Sequence, residues 1–395
     1  MKCVVLDSID AVYAQAWDGL FPQYDGMRNP FMRHAFLHAL EASGSVSSET
    51  GWTPRHLALY DGDRLIAAMP MYLKTHSSGE FVFDWGWAAA YERHGLAYYP
   101  KLLTAAPFTP SPGPRIAVAP GIDRHGAASA LLDGLRQFAE QEGCSGWHLL
   151  FAERASQDLL EAEVTAGHLL HREDIQFHWH NRGYADFDAF LATLKSSRRK
   201  NLRKERRRVA EQGVVMARVA GPDITDDDWG GFYRCYRGTF EAHSGHAGYM
   251  NRAFFTRLRQ AMPEQLLLVT ARREGELVGS ALCLYDRQAL YGRYWGALAP
   301  ISGLHFETCF YQGIEFCIEQ GLHRFDPGAQ GEHKLLRGFE PVITRSLHWI
   351  ADTRFRRAID DYLERERPAA RQYGEDAVRY LPFSTGADPG TSGED

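Results

Sequence analysis

The chain has 395 residues, of which 45% are apolar and 24% charged, with a net charge of −6 and an isoelectric point near 6.3. That balance suits a globular protein of two or three domains. It excludes a chain that coats nucleic acid or an anionic membrane over its whole surface, while leaving room for a local basic patch.

The N-terminus MKCVVLDSIDAVYAQAWDGLF lacks the long apolar segment of a signal peptide, because Asp7 and Asp10 interrupt it early. No run of about eighteen apolar residues occurs anywhere, so no membrane span is predicted. Six scattered cysteines without a C-x-x-C pair point to reduced thiols and a cytoplasmic setting.

In chain order, Asp61 to Lys74 reads as a turn followed by an apolar strand, and Gly79 to Ala88 as a second strand. Within the latter, Phe81 and Phe83 are expected in the core, with Trp85 and Trp87 left open. Five prolines between Ala89 and Pro114 predict a long irregular loop. A helix over Ala127 to Gly143 and a short strand over Trp147 to Phe151 follow.

The second half repeats this order. Glu274 to Asp286 is a turn and strand, and Ala289 to Leu298 is its partner. A helix over His305 to Gly321 follows, then a strand over Leu322 to Phe325. Trp85-Gly86 and Trp295-Gly296 end the two second strands. The shared order predicts a duplication: an α/β protein of the α+β type, with two tandem domains, each a mixed, largely antiparallel sheet with packed helices. The expected domains are 1–165 and 166–383, joined between Ala152 and Arg182, with 384–395 as a disordered tail.

Between the halves, Phe177 to Gly183 reads FHWHNRG. On a strand, His178 and His180 share a face. They suit a structural pair, a substrate contact, or two metal ligands that Glu332-His333 completes. With no third ligand at a telling interval, no metal is assigned. His243 and His246 fall in a polar segment and are read as loop contacts.

Lys195 to Arg208 carries nine Lys or Arg in fourteen residues, with Glu205 its only acid. A helix is predicted there, capped by Ser196 or Ser197 and ended by Gly213. Leu202 and Val209 form a narrow apolar seam. The other faces expose Arg198, Arg199, Lys200, Arg203, Lys204, Arg206 and Arg207 either to solvent or to a phosphate-rich partner such as tRNA.

Phe325 to Pro341, FDPGAQGEHKLLRGFEP, follows helix and strand with three glycines and a Glu-His-Lys cluster. Backbone N–H groups at Gly328 and Gly331 can approach an anion closely, and Lys334 can neutralise it. The alternative is a surface turn with solvated charges. No Walker loop, G-x-S-x-G elbow or H-E-x-x-H motif is present.

With the preceding HFETCFYQGIEFCIEQGLHR, this loop resembles the Fem-type branch of the GNAT acyltransferases, and more closely the FemAB-like peptidoglycan biosynthesis or recognition family. RNPFMRHAFLHALEASG, FVFDWGWA, FHWHNRGY and RRKNLRKERRRVAEQG carry the same likeness. The resemblance implies two tandem GNAT-like domains and acyl transfer to an amine. It implies no tightly bound cofactor, with acyl-CoA or aminoacyl-tRNA as co-substrate. The loop lysine of the broader family, a phosphate ligand, maps to Lys334, and Arg337 and Phe339 continue the motif.

The GNAT pyrophosphate loop is intact in neither half: Gly126-x-Ala128 and Ile301-Ser302-Gly303-Leu304 stand in its place. Arg293, Glu332 and His333 are the expected acceptor contacts or proton carriers, with Trp295, His178 and His180 as further substrate contacts. A non-catalytic module that binds RNA or a cell-wall precursor is the competing reading.

Overall fold

The computed structural model describes residues 1–24, 26–245, 248–329 and 331–384. Two units divide the chain: one comprises 1–175 and 343–372, the other 176–342 and the residues from 373 onward.

In the second unit, Leu266–Arg273 and Glu276–Tyr285 pair antiparallel. Glu274 and Gly275 join them with φ of 56° and 85°, the double positive φ of a two-residue hairpin turn. Val214–Ala220 pairs antiparallel on one side and Ala289–Ala297 on the other. The short strand Arg324–Asp326 then pairs parallel with Ala289–Ala297 and antiparallel with the end of Leu170–His180.

A parallel pair needs a crossover, supplied by the helical run Leu304 to Gln320, whose middle turn, Glu307–Tyr311, is a π-helix. The helix Asp226–Ser244 packs close to the sheet at Gly296, where a Cβ would lie 1.9 Å from the Cys235 carbonyl oxygen.

In the first unit, Lys2–Leu6, His56–Asp61, Arg64–Met69 and Ala117–Val118 form one antiparallel sheet. The helix Arg124–Gln141 turns Ala127, Ala128, Leu131, Leu132, Leu135 and Ala139 toward the core, the spacing of one apolar helical face. A second group of strands runs Trp52–Pro54, Tyr72–Lys74, Lys101–Thr104, Gly146–Leu149 and then the end of Glu340–Ile350.

Several expectations fail here. Gly79 to Ala88 is not a strand: Trp85–Arg93 is a helix and the residues before it are irregular. Asp84 is drawn to Lys101 and Tyr98, and the Ala88-Ala89-Ala90 run then favours helix. The two Trp-Gly pairs are therefore unlike, and a Cβ at Gly86 would meet nothing. Phe83 is 45% exposed and Phe81 only half-buried, so neither is core, whereas Trp87 is buried. Within the supposed loop Ala89 to Pro114 lies the fully buried strand Lys101–Thr104.

The basic helix spans Ser196–Glu211 with Lys195 as its N-cap and no side-chain cap bond, so neither serine caps it. Gly213 follows its end with φ of 77°. Of the expected tail, Ser384 donates its backbone N–H to the Thr193 carbonyl, and 385–395 lie outside the described residues. His246 and the side chain of His243 also lie outside them.

Candidate active site

Arg324–Asp326 pairs with Ala289–Ala297 only as far as Tyr291, after which the chain turns away through Pro327. Gly292 to Trp295 therefore lose a neighbour on that edge, and a cavity of about 170 Å³ opens there. An opening where parallel strands part is a recurrent ligand position in α/β sheets. Arg293, Trp295, His333 and Lys334 all line it, together with His305 and Cys309. Cys309 lies in the π turn.

Asp326 organises the wall. It is fully buried, accepts a hydrogen bond from Arg293 at 2.8 Å, and accepts the Gly328 backbone N–H at 2.9 Å. His178 Nε2 lies 3.8 Å away and also meets Gln176 Oε1 at 3.3 Å. Burial pushes His178 down to about 3, so it is neutral. It therefore backs Asp326 rather than lining the cavity. His180 stands apart near Glu340 and Arg182. Among the described residues, no group of three His, Cys, Asp or Glu side chains is arranged to hold a metal ion.

Lys334 is 3% exposed and donates to the carbonyl oxygens of Gly328 at 2.6 Å and Ala329 at 3.4 Å. The loop thus folds back on its own lysine. Burial draws the Lys334 amine down to about 8, against the opposing pull of Asp326. Gly328 and Gly331 have φ of 94° and 111°. A Cβ on Gly331 would lie 2.5 Å from the His333 ring. Burial, then Lys334 and Arg337, push His333 below its ordinary value, and His305 falls to about 4 for the same first reason. Both imidazoles are thus neutral at pH 7. The Cys283 thiol is pushed up to about 12 by burial and that of Cys309 well above its usual range. Neither is a thiolate nucleophile.

The other expected site residues fall elsewhere. Glu332 points to solvent and accepts the Tyr373 hydroxyl at 2.9 Å. Phe339 is fully buried against Phe310 and Phe325. Arg337 donates to Glu205, Tyr311 and the His333 carbonyl, and stacks 3.5 Å from the Phe306 ring. It braces the loop against the basic helix rather than facing the cavity.

On that helix, Arg206 is consumed by Glu307 and Glu315 and lies over Phe187. Arg203 meets Asp188 at 2.7 Å, Arg207 meets Glu211 at 3.5 Å, and Arg199 donates to the Ala192 carbonyl. Lys200, Lys204 and Arg208 are exposed, as are Arg203 and Arg207, while Arg198 is half-buried.

The sequence reading missed His305, Cys283 and Cys309 as cavity walls. The only trace of His305 was its place at the helix start. It also missed a buried polar cluster in the first unit, where Lys101 bonds Ser77, Glu80 and Asp84.

The protein is similar in fold to FemX, with a TM-score of 0.53 at 12% identity, covering 91% of this chain and 100% of FemX. A conserved protein of unknown function from Bacteroides thetaiotaomicron matches with a TM-score of 0.50 at 14% identity, over 88% and 99% of the two chains. A tandem GNAT protein from the clavulanic acid biosynthesis pathway scores 0.46 at 13% identity, over 89% and 98%. No curated protein matches the sequence. The FemAB-like profile, described as peptidoglycan biosynthesis/recognition, matches residues 8–385. The chain belongs to the FemAB-like family.

Proposed function

We propose that this protein is a Fem-type N-acyltransferase, which moves an acyl or aminoacyl group from an activated donor to an amine, with the cavity of the second unit as its transfer site. The observation that carries this reading is the convergence of Arg293, Trp295, His333 and Lys334 on one cavity. Membership of the FemAB-like family supports the reaction class.

Transfer needs a deprotonated amine, a stabilised oxyanion and the two substrates held in line. His333, neutral at pH 7, accepts the proton as the amine nitrogen bonds to the donor carbonyl carbon. Arg293 and Lys334 supply positive charge for the donor's anionic group and the developing oxyanion. When the tetrahedral adduct collapses, the bond from carbon to the donor oxygen or sulfur breaks, and that leaving group takes up a proton. No covalent enzyme intermediate is required.

The donor reading favours aminoacyl-tRNA over acyl-CoA. Gln212 Oε1 accepts the Ser302 N–H where a pyrophosphate loop would offer it, and in the first unit the Asp123 carboxylate accepts the His125 N–H at a helix start. Both would oppose a pyrophosphate. The exposed cations of Ser196–Glu211 suit a polyanionic donor. The acceptor is an amino group of a small molecule or cell-wall precursor. The test offers charged tRNA and acyl-CoA in parallel with amine acceptors. Lys334→Met is expected to lower kcat/KM at least about 100-fold, a loss typical of removing a transition-state contact, and unchanged transfer removes the reading.

A further inference from the structure

The strands Lys101–Thr104, Gly146–Leu149 and Glu340–Ile350 lie side by side in the first unit. His148 and His348 are direct cross-strand partners, and their Nδ1 atoms are 2.5 Å apart. Ser346, two residues before His348 on the same strand face, has its Oγ 2.9 Å from His348 Nε2. At the other end, His148 Nε2 is 3.2 Å from the Tyr98 hydroxyl, which donates to Asp84 Oδ2 at 2.6 Å. Lys101 bonds the same carboxylate oxygen. Every one of these residues is less than 6% exposed.

The proton positions along this chain follow from its end. Burial alone would raise Asp84, but Lys101 holds it down to about 2, so it is a pure acceptor. Tyr98 therefore donates to Asp84, and its oxygen receives the His148 Nε2–H. His148 Nδ1 is then bare and receives the His348 Nδ1–H. His348 Nε2 is left as a lone pair facing the Ser346 hydroxyl. Burial pushes both imidazoles far down, to about 3 for His148, so the rings are neutral as this order requires. Trp87 packs edge-on against His348 at 4.9 Å and fixes its plane.

A serine hydroxyl, a base and a third group that sets the base's tautomer are the parts of an activated nucleophile. Ser346 also borders a cavity of about 30 Å³ shared with Phe83, Phe151, Arg172 and Arg345. Phe151 holds a φ of 51°, a strained backbone that non-glycine residues seldom adopt. Phe83 at the rim and its neighbour Trp85 are 45% and 64% exposed, with rings 5.1 Å apart, an apolar platform beside the opening.

We propose that Ser346 is a nucleophile for esters with an apolar acyl group, a second reactive centre separate from the transfer cavity, with His348 as its base. Ser346 Oγ bonds to the ester carbonyl carbon while its proton passes to His348 Nε2. Collapse of the adduct breaks the carbon–oxygen ester bond, and His348 returns the proton to the departing alcohol. Water repeats the cycle on the acyl-serine, releasing the carboxylic acid and restoring Ser346. His148, Tyr98 and Asp84 are positioning residues that hold the tautomer, and Lys101 keeps Asp84 ionised as the end of the chain.

Diisopropyl fluorophosphate tests this directly, because an activated serine displaces its fluoride and keeps the phosphoryl group. The full chain is expected to gain one adduct, mapped by peptide mass to Ser346. The adduct is expected to be absent from Ser346→Ala and from wild type unfolded in urea, and to form at least about tenfold more slowly in His348→Gln, within the range of general-base contributions. Folded wild type without an adduct at Ser346, or labelling at an unchanged rate in folded His348→Gln, overturns the proposal. Should His348→Gln fail to fold, folded against unfolded wild type decides: equal labelling of the two overturns it.

Discussion

Glu205, the one acid in the basic run, accepts from one terminal nitrogen of Arg337 with both its carboxylate oxygens, at 2.9 and 2.8 Å, across 132 positions of sequence. The pair ties the glycine-rich loop to the basic helix, and the Tyr311 hydroxyl bonds Glu205 as well. The loop that shapes the cavity and the helix that carries the exposed cations are thus one mechanical unit.

Breaking that pair should cost stability and site order together. Arg337→Met leaves Glu205 without its main partner. Because Glu205 is 32% exposed, the expected loss is about 1–3 kcal/mol, below the range for a fully buried pair. Arg337→Lys should recover little, since one ammonium cannot meet Glu205, Tyr311 and the His333 carbonyl at once as the planar guanidinium does. Urea unfolding measures both, and a change under about 0.5 kcal/mol contradicts the bracing role.

Lys334 should make stability depend on alkaline pH. Its folded value is about 8 against an ordinary 10.5, so the unfolded chain binds more protons between those values and stability rises with pH across that window. The expected rise is on the order of 3 kcal/mol at about 1.4 kcal/mol per unit. Lys74, drawn by burial to about 7, contributes in an overlapping range. The check is therefore the difference between wild type and Lys334→Met, which should lack its share of the rise.

An anionic donor bound at Lys334 should draw a proton with it. The anion favours the ammonium form, so donor binding is expected to take up protons near pH 8–9 and to weaken as pH climbs above about 8. Calorimetry in two buffers of different ionisation enthalpy reads the uptake. Identical heats in the two buffers would show that Lys334 does not meet the donor's charge.

The cations of the basic helix should divide into two classes. Changing Lys200, Lys204, Arg207 and Arg208 to Ala should leave folding within about 0.5 kcal/mol per position. The same change should weaken tRNA binding and flatten its salt dependence, by about 0.7 in slope for each single-strand phosphate that is no longer neutralised. Arg206→Ala should instead lower stability, because Glu307, 4% exposed, loses its guanidinium. Unfolding curves together with a salt titration separate the two.

Gly331→Ala should damage the site beyond its backbone strain. A Cβ there meets the His333 ring at 2.5 Å with φ at 111°. The expected cost is about 1–3 kcal/mol, with kcat falling through displacement of His333. Transfer assays beside thermal unfolding midpoints check it.

Much of the cavity of the second unit could be read from local pattern. Gly321 ends its helix with φ of 66°, the short strand Arg324–Asp326 follows, and Gly328, Gly331 and Lys334 come at once after it. Those signals act over a few residues, and helical period and glycine placement encode them. Arg337 and Phe339 kept their motif positions yet face Glu205 and the core, because what a side chain meets depends on segments far away in sequence. Gly79 to Ala88 misled for the same reason. Its alternating aromatics suit a strand, but the pull of Lys101 on Asp84 releases it into a turn and a helix.

By itself, then, the sequence determined the mixed α/β architecture, the basic helix and the place of the loop, since periodicity, glycine and charge are local properties. Only the tertiary structure decided which charges remain free. Nine cations lie in the run from Lys195 to Arg208, but Arg206 is bound within the fold while Lys200 and Lys204 stay in solvent. The order Ser346, His348, His148, Tyr98 and Asp84 is likewise invisible along the chain. It exists because two paired strands set His148 against His348 while the segments carrying Tyr98 and Asp84 pack within hydrogen-bond reach, and burial there removes the water that would otherwise satisfy each group separately.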